Sequence, residues 1–429
     1  MELNKYFKSD FFRNSFLLLS ATTIAQIIPI AIYPIVTRLY SPSELGILSV
    51  FLSITGILSI LATGRYEFAI LLPKEEKSAL SLFTLAIIIS CIFSFLILII
   101  VVVFNSHIVL WMHEPGMKYL LYTIPFFLLI TGITQAATYY LNRQKDYKGI
   151  STYSLNQSIV NSGSKIAFGF AGMTSVGLIL STFIGQITGT FALVFRLIKK
   201  HGINFTKKPE FALVKQEAAN YAVFPRFRMI QAFINTLSGS LPVILFASYF
   251  SSSISGFFSL GFSLVFRPIN LFASSVYQVL SQKVIEKHHR GEPVFGIVYK
   301  FITHLALYSC LPFIAILFLA QPLFGFVFGT EWREAGKYLQ FLIPWLFLVL
   351  LASPLAFTPD VCFKQKKALT IDIIYFVMRI ASLFTGIYLK NVYLAIVLYA
   401  TSSTIIVGYT LFWYLKTIKD WDKEINFKL

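Results

Sequence analysis

The chain has 429 residues, of which 56% are hydrophobic and only 13% are charged, and its formal net charge is +17. Apolar stretches recur along the whole sequence with short polar breaks, which leaves no room for a folded soluble domain and predicts an all-α integral membrane protein. The basic residues are concentrated in alternate connections between apolar stretches. This is a membrane-topology signal, so the positive charge does not indicate nucleic-acid binding.

At roughly 20 apolar residues per crossing, the sequence predicts twelve transmembrane helices. They cover 15–38, 44–71, 78–104, 119–141, 150–172, 176–197, 227–249, 255–279, 297–320, 338–358, 368–389 and 392–415. Most Lys and Arg residues fall on one side, in the segments 1–13, 73–77, 142–149, 196–228, 281–300, 364–367 and 416–429. By the positive-inside rule, both termini are expected to be cytoplasmic.

The longest polar connection, 198–226, separates an N-terminal six-helix lobe (1–197) from a C-terminal six-helix lobe with a cytoplasmic tail (227–429). Each lobe enters and leaves the membrane on the same side. If the lobes are repeats, they are therefore parallel repeats, related by a pseudo-twofold axis along the membrane normal. A shift of 214 residues supports this weakly, since it places Lys165 on Arg379.

Four lone cations lie inside apolar stretches and are the strongest functional signal, because intramembrane cations are costly and mark the path of something charged. They are Arg65, Lys165, Arg267 and Arg379. Arg267 precedes Pro268 near the middle of its stretch, where a proline kink is expected and the interface is hardest to reach. The pattern predicts that the protein moves an anion.

Polar residues at helical spacing accompany these cations. Gln157 and Asn161 share a face with Lys165, Gln231 and Asn235 share a face of the seventh span, and Asp372 shares a face with Arg379. A polar stripe avoids lipid, so these faces either line a water-filled cavity or hold helices together by hydrogen bonds. Asp372 has a further interpretation, namely pairing with the lysines at 364–367.

Glu67 is the best candidate for a titrating group, since a short carboxylate within a span must be paired or protonated. On a continuous helix, Arg65 and Glu67 are two positions apart and are expected to have different partners. Arg65 has a second interpretation, in which it binds no anion and extends its guanidinium to the nearby cytoplasmic membrane interface. Nothing in the sequence indicates a phosphate-binding Gly-rich loop, a metal signature or a catalytic nucleophile, so we expect no enzyme, no cofactor and no direct use of ATP.

Several stretches resemble Wzx-type polysaccharide flippases of the multidrug, oligosaccharidyl-lipid and polysaccharide exporter (MOP) superfamily. They are TGRYEFAILLP at 63–73, NRQKDYKGIS at 142–151, residues 237–250 and 256–282, and FGTEWREAGKYLQFLIPW at 328–345. The resemblance implies two six-helix lobes around a central cavity and alternating access in a bacterial inner membrane. It implies an undecaprenyl-pyrophosphate-linked oligosaccharide as substrate, such as an O-antigen or capsule repeat unit.

A pyrophosphate headgroup requires cationic donors in a low-dielectric site, which agrees with the four cations. Glu67 and Asp372 are then the candidates for coupling to H⁺ or Na⁺. Expected partners are the lipid-linked glycan, the bilayer and a polysaccharide polymerase with glycosyltransferases, and the protein is expected to be a monomer. Two alternatives remain: a small-molecule efflux antiporter of the same superfamily, and a membrane polymerase or ligase of lipid-linked sugars.

Overall fold

The structure is a computed structural model that describes residues 10–112, 115–202 and 210–426. Parts of three predicted segments lie outside the described residues, namely 1–9 of the N-terminus, 203–209 of the connecting segment and 427–429 of the tail. Within the described ranges the fold is helical, with no β-strand. Its principal helices are α1 (Asp10–Leu39), α2 (Pro42–Ser59), α3 (Glu76–Met112), α4 (Ile124–Arg143), α5 (Tyr147–Phe170), α6 (Ser175–His201), α7 (Phe211–Asn220), α8 (Met229–Tyr249), α9 (Ser252–His289), α10 (Phe295–Phe328), α11 (Arg333–Ala352), α12 (Gln365–Tyr388) and α13 (Val392–Asn426).

Twelve of these helices, all except the short α7, correspond in order to the twelve predicted spans. By length and apolar composition, eleven of the twelve qualify as membrane-spanning among the described residues. The exception is α5, whose polar stripe lowers its hydropathy although it has 24 residues. The all-helical membrane fold is confirmed.

The second predicted span, 44–71, is wrong in its extent. The α2 helix ends at Ser59, and the chain turns before a short 3-10 helix at Tyr66–Leu71. Gly64 and Arg65 have φ values of 59° and 63°, in the left-handed region that an α-helix of L-residues excludes. The stretch is apolar except for a few polar residues that include Arg65 and Glu67, so hydropathy alone did not reveal this break.

The outer faces of the long helices are suited to lipid. Along α3, large apolar side chains are exposed at positions where water would make them an aggregation liability. They include Ile92, Phe95, Leu96, Ile99, Val102, Val103 and Phe104. Acyl chains are the environment in which such a face is stable.

The chain divides into two compact units, Met1–Ser255 and Gly256–Leu429. In the first unit, one end of α3, α4 and α6 packs with the 3-10 helix and with Val214 of α7 in a shared apolar core. The α8 helix belongs to this unit because it packs along α2. The lobe ranges predicted from the sequence, 1–197 and 227–429 around the connection 198–226, stay a prediction.

In the second unit, small residues allow helices to approach closely. A Cβ on Gly336 of α11 would lie 2.5 Å from the carbonyl oxygen of Ala320 on α10. A Cβ on Gly386 of α12 would lie 2.3 Å from the Cβ of Ala395 on α13. These contacts fix the helix spacing in a membrane, where packing rather than the hydrophobic effect holds helices together.

Candidate functional site

The segment between α2 and α3, residues 60–71, is called the polar turn below. Its side chains lie against α4 and α7 instead of continuing a helix. Tyr66 donates a hydrogen bond from its hydroxyl to the carbonyl oxygen of Ala218 on α7 at 2.9 Å. The ring of Phe68 lies 4.7 Å from that of Tyr139 on α4. The polar turn is therefore fastened to the short helix that leads to the second half of the chain.

Glu67 is the buried carboxylate of the polar turn, with only 1% of its surface exposed. It accepts a hydrogen bond from the hydroxyl of Thr63, which also lies 3.4 Å from Oε1 of Gln135. The nearest cation is Arg65, whose Nη1 is 3.5 Å from Oε1 of Glu67. A buried carboxylate with a single long ion pair and one hydroxyl donor is suited to gaining and losing a proton or a small cation.

The prediction that Arg65 and Glu67 have different partners is wrong. It assumed a continuous helix, whereas the left-handed residues Gly64 and Arg65 reverse the chain and bring the two side chains together. The Arg65 guanidinium also lies 5.1 Å from the centre of the Phe68 ring. The side chain is 17% exposed and lies against Glu67 and Phe68 within the polar turn. Extension of its guanidinium to the interface stays a prediction.

The polar stripe of α5 contributes largely to helix packing. Gln157 donates to the side chain of Gln186 on α6, and Ser158 donates to the carbonyl oxygen of Ala25 on α1 at 2.6 Å. Asn161 is different, because its Oδ1 is buried without a hydrogen-bond partner. The backbone carbonyl of Lys165 accepts a hydrogen bond from the Tyr40 hydroxyl at 2.9 Å. Substrate contact by Gln157, Asn161 and Lys165 stays a prediction.

The polar face of α8 is open within the first unit. Gln231 and Asn235 are exposed, and neither forms a hydrogen bond in the described part of the chain. The helix is nevertheless apolar enough to span a membrane. Two unsatisfied amides at such a position require water or a ligand, because lipid offers them no partner.

Arg267 lies in the central part of α9, one residue before Pro268, in the second unit. Its side chain is half-buried and forms neither a hydrogen bond nor an ion pair with the residues that the structure describes. Burial of an unpaired guanidinium is costly, so such a residue is retained where an anion visits it. Substrate contact by Arg267 stays a prediction.

Arg379 is enclosed, in contrast to Arg267, with 7% of its surface exposed. Its guanidinium carbon is 3.9 Å, 4.8 Å and 4.9 Å from the ring centres of Tyr375, Trp345 and Tyr399. Nε donates to the hydroxyl of Ser403 at 3.1 Å, and Nη2 donates to the hydroxyl of Tyr375. We call this arrangement the aromatic box. It satisfies the cation by protein groups alone, and contact with substrate stays a prediction.

Asp372, the second carboxylate predicted for ion coupling, is exposed on α12. Among the described residues it forms no ion pair with Lys364, Lys366 or Lys367. The alternative interpretation, pairing with this basic connection, is therefore not realised in the structure. Its role in coupling stays a prediction.

Sequence reasoning missed a charged cluster around Asp146, the residue that caps α5. Asp146 binds Arg196 of α6 through two hydrogen bonds of 2.6 Å, and it also contacts Lys200 and His201 at 3.1 Å and 3.0 Å. Burial alone would raise the pKa of this carboxylate, but hydrogen bonds from Arg196, His201 and Lys200 outweigh it and hold the pKa well below its usual value. The cluster locks the basic end of α6 onto the start of α5.

A second cluster beside it joins the connection 73–77 to the end of α4. Arg143 donates to the carbonyl oxygen of Pro73 at 2.6 Å and to Glu76 at 3.3 Å, and Gln144 donates to Glu76 at 2.8 Å. The signal for both clusters was present in the stretch NRQKD at 142–146, but its partners lie about 50 to 70 residues away in the sequence.

We expect Asp146→Asn to lower the free energy of unfolding by about 2 kcal/mol at pH 7, because the charge-assisted hydrogen bonds are lost. A carboxylate with a lowered folded pKa stabilises above its unfolded pKa of about 4, and this contribution disappears as the pH falls through the folded pKa. Thermal unfolding of the purified protein should show a constant difference between variant and wild type from about pH 5 to 8, and a shrinking one below about pH 4. Asp420→Asn, at an exposed site, is the control. An equal effect of both variants would contradict the prediction.

Comparison with known families agrees with the stretches noted in the sequence. The profile of the family described as "Polysaccharide biosynthesis protein" matches residues 35–337, more than half of the chain. The chain belongs to this family. The match includes the polar turn, the Asp146 cluster and Arg267, whereas the aromatic box lies beyond it. Among curated proteins, none matches the chain.

Comparison with solved structures shows which fold this chain has. The lipid II flippase MurJ in an inward closed conformation matches with a TM-score of 0.75 at 13% identity, over 96% of this chain and 91% of MurJ. An inward-facing multidrug resistance MATE family transporter of the MOP superfamily matches with a TM-score of 0.70 at 15% identity, over 95% and 99% of the two chains. At these identities the likeness establishes the fold alone. The polysaccharide biosynthesis family is therefore confirmed by the family profile, and the chain has the fold of these two transporters.

Proposed function

We propose that this protein is a flippase that moves an undecaprenyl-pyrophosphate-linked oligosaccharide from the cytoplasmic to the periplasmic leaflet of a bacterial inner membrane. The observation that carries the proposal is Arg267, an unpaired guanidinium in the middle of an apolar helix. Arginine binds phosphate oxygens in a bidentate manner and retains its charge in a low-dielectric site. A lipid-linked pyrophosphate is an anion that must pass through such a site.

Membership of a polysaccharide biosynthesis family supports a glycan as the cargo. In this proposal the glycan is an O-antigen repeat unit of lipopolysaccharide or a capsule repeat unit, delivered to a polymerase after synthesis by glycosyltransferases. The protein acts as a monomer with both termini in the cytoplasm. In this proposal it works as an antiporter by alternating access and catalyses no covalent step.

The proposal is tested by translocation of a pyrophosphate-linked oligosaccharide in proteoliposomes. The substrate carries a fluorescent sugar, and a membrane-impermeant reagent reports the fraction in each leaflet. Lipid-linked substrate should equilibrate only in vesicles that contain the protein. Export of small organic cations without movement of the glycolipid would overturn the proposal and favour an efflux antiporter.

In the proposed cycle, Glu67 couples substrate movement to H⁺ or Na⁺. The glutamine of Glu67→Gln has the same shape and still accepts a hydrogen bond from Thr63, but it carries no charge that changes on ion binding. We expect the variant to exchange substrate passively and to lose the acceleration that an imposed ion gradient gives. Transport at zero and imposed gradients, for H⁺ and Na⁺ separately, measures this.

The matched control is Glu286→Gln, the same chemical change at an exposed glutamate on α9. The control should retain gradient-dependent transport. If Glu67→Gln retains it as well, coupling does not run through the polar turn. Asp372→Asn is then the variant to measure next, since Asp372 is the other predicted coupling carboxylate.

A further inference from the structure

The basic end of the second unit contains a cavity that the proposed transport cycle does not use. Several helix ends meet there in one apolar core, which includes Leu280 and Val284 of α9, Val298 of α10 and Ile418 of α13. The cavity lies beside this core and has a volume of about 400 Å³. It is lined by residues of the connection before α12, of the first turn of α12 and of the C-terminal part of α13: Cys362, Phe363, Lys364, Lys367, Trp413, Lys416, Thr417, Asp420 and Trp421. We call it the lysine–tryptophan pocket.

The charge of the pocket favours an anion. Three lysines, at 364, 367 and 416, and one carboxylate, Asp420, line it, so the side chains sum to +2 (3 − 1). None of the three lysines forms an ion pair with a residue in the described ranges. Asp420 instead lies 3.5 Å from Lys423, outside the pocket lining. The three ammonium groups are therefore unneutralised by the protein.

One of these lysines is held in place. The ammonium of Lys367 lies 5.2 Å from the ring centre of Trp413 and 6.0 Å from that of Tyr409. Trp413 is 5% exposed, so it is a rigid platform and not a mobile surface group. A cation–π contact of this kind orients the ammonium group by the aromatic ring. The positive charge is not neutralised by a carboxylate and remains available to an anion.

The pocket lies where the membrane surface is expected. In α12 the polar residues Gln365–Lys367 precede the apolar sequence, and in α13 the apolar sequence gives way to charged residues from Lys416 onward. Tryptophan is typical of this level of the bilayer. Phe363 is 85% exposed beside the pocket and has a φ of 54°, a left-handed conformation that turns the chain away from the preceding helical turn. An exposed aromatic ring next to cations at this depth suits acyl chains adjoining an anionic headgroup.

From the charge, the size and the depth of the pocket, we propose that it binds the headgroup of an anionic glycerophospholipid. Lys364, Lys367 and Lys416 contact the phosphodiester, and Asp420 accepts a hydrogen bond from a headgroup hydroxyl. The shared chemistry is a phosphate, which either a membrane phospholipid or free phosphate supplies, and the depth at the membrane surface favours the phospholipid. The site is separate from Arg267, so it serves as a lipid-binding site and not as the transport path.

The test is native mass spectrometry of the full-length protein in detergent, titrated with phosphatidylglycerol, phosphatidylethanolamine or inorganic phosphate. The pocket variant combines Lys364→Gln, Lys367→Gln and Lys416→Gln. The control combines Lys283→Gln, Lys300→Gln and Lys366→Gln, which removes the same charge from exposed lysines at the same end of the second unit. Size-exclusion profiles establish that all three proteins are folded.

We expect the wild type and the control to bind one tightly held phosphatidylglycerol molecule. The pocket variant should bind phosphatidylglycerol at least about tenfold more weakly, because each lysine near an anionic surface raises the affinity by on the order of a factor of five. Phosphatidylethanolamine should bind more weakly than phosphatidylglycerol. Equal losses in the pocket and control variants would overturn the proposal in favour of general surface attraction. Binding of inorganic phosphate without phosphatidylglycerol would overturn it in favour of a soluble anion. The assay needs no transported substrate, so it stands or fails independently of the flippase proposal.

Discussion

Replacing Arg267 with alanine is expected to slow translocation of the pyrophosphate-linked substrate by about tenfold to a hundredfold, while the protein stays folded. A charge-assisted hydrogen bond contributes about 1.5–3 kcal/mol, and the substrate loses that interaction inside the membrane. The free energy of unfolding should change little, because Arg267 has no hydrogen bond or ion pair to lose in the described part of the chain. The proteoliposome assay measures the rate, and thermal unfolding in detergent measures the stability.

Two further variants sharpen this experiment. Arg267→Lys retains the charge but not the bidentate geometry, so we expect a rate between those of wild type and Arg267→Ala. Arg290→Ala removes an arginine just after the end of α9, outside the apolar stretch, and should transport normally. Wild-type transport by Arg267→Ala would contradict the role of this residue and remove the main support for an anion path.

Replacing Arg379 with alanine is expected to act differently, by destabilising the second unit. The variant removes a buried cation from three aromatic rings, together with its hydrogen bonds to Ser403 and Tyr375. Desolvated cation–π contacts and charge-assisted hydrogen bonds of this kind together indicate a loss on the order of 3 kcal/mol. Transport should fall because less folded protein remains at the assay temperature.

Stability and transport must be measured on the same preparations to distinguish the role of Arg379 from that of Arg267. Fluorescence-detected size exclusion after a temperature series reports unfolding of Arg379→Ala and Arg267→Ala. The control is Ser403→Ala, which removes one hydrogen bond and is expected to cost about 1 kcal/mol. If Arg379→Ala is as stable as wild type and still fails to transport, Arg379 contacts the substrate directly, as the sequence predicted.

Arg267 and Arg379 illustrate which features of the site can be predicted from the sequence and which cannot. The sequence placed Arg267 and Arg379 together among the intramembrane cations, because both lie inside long apolar stretches. The structure distinguishes them by their neighbours. Trp345 and Tyr399, two walls of the aromatic box, belong to α11 and α13, and nothing in the local pattern around Arg379 indicates that they enclose it.

For the polar turn, the sequence identified the stretch but not its backbone conformation. The stretch 63–73 was correctly singled out, and Glu67 is indeed a buried carboxylate. The prediction that Glu67 does not pair with Arg65 is wrong because it applied helical spacing to residues that lie beyond the end of α2. Gly64 was the available signal, since glycine often marks a left-handed turn, but within an apolar membrane stretch glycine is also a common helix residue.

The sequence by itself determined the class of protein, the order of its twelve long helices and the family to which it belongs. The class and the helix order follow from local composition, because a membrane span must bury about 20 consecutive apolar residues whatever it packs against. The family follows from the resemblance of several stretches of the sequence. Only the tertiary structure decided which polar groups are satisfied. The open face of Gln231 and Asn235, the unpaired Arg267, the Asp146 cluster and the lysine–tryptophan pocket all depend on side chains from different helices. Their positions are set by packing between helices, which no single stretch of sequence encodes.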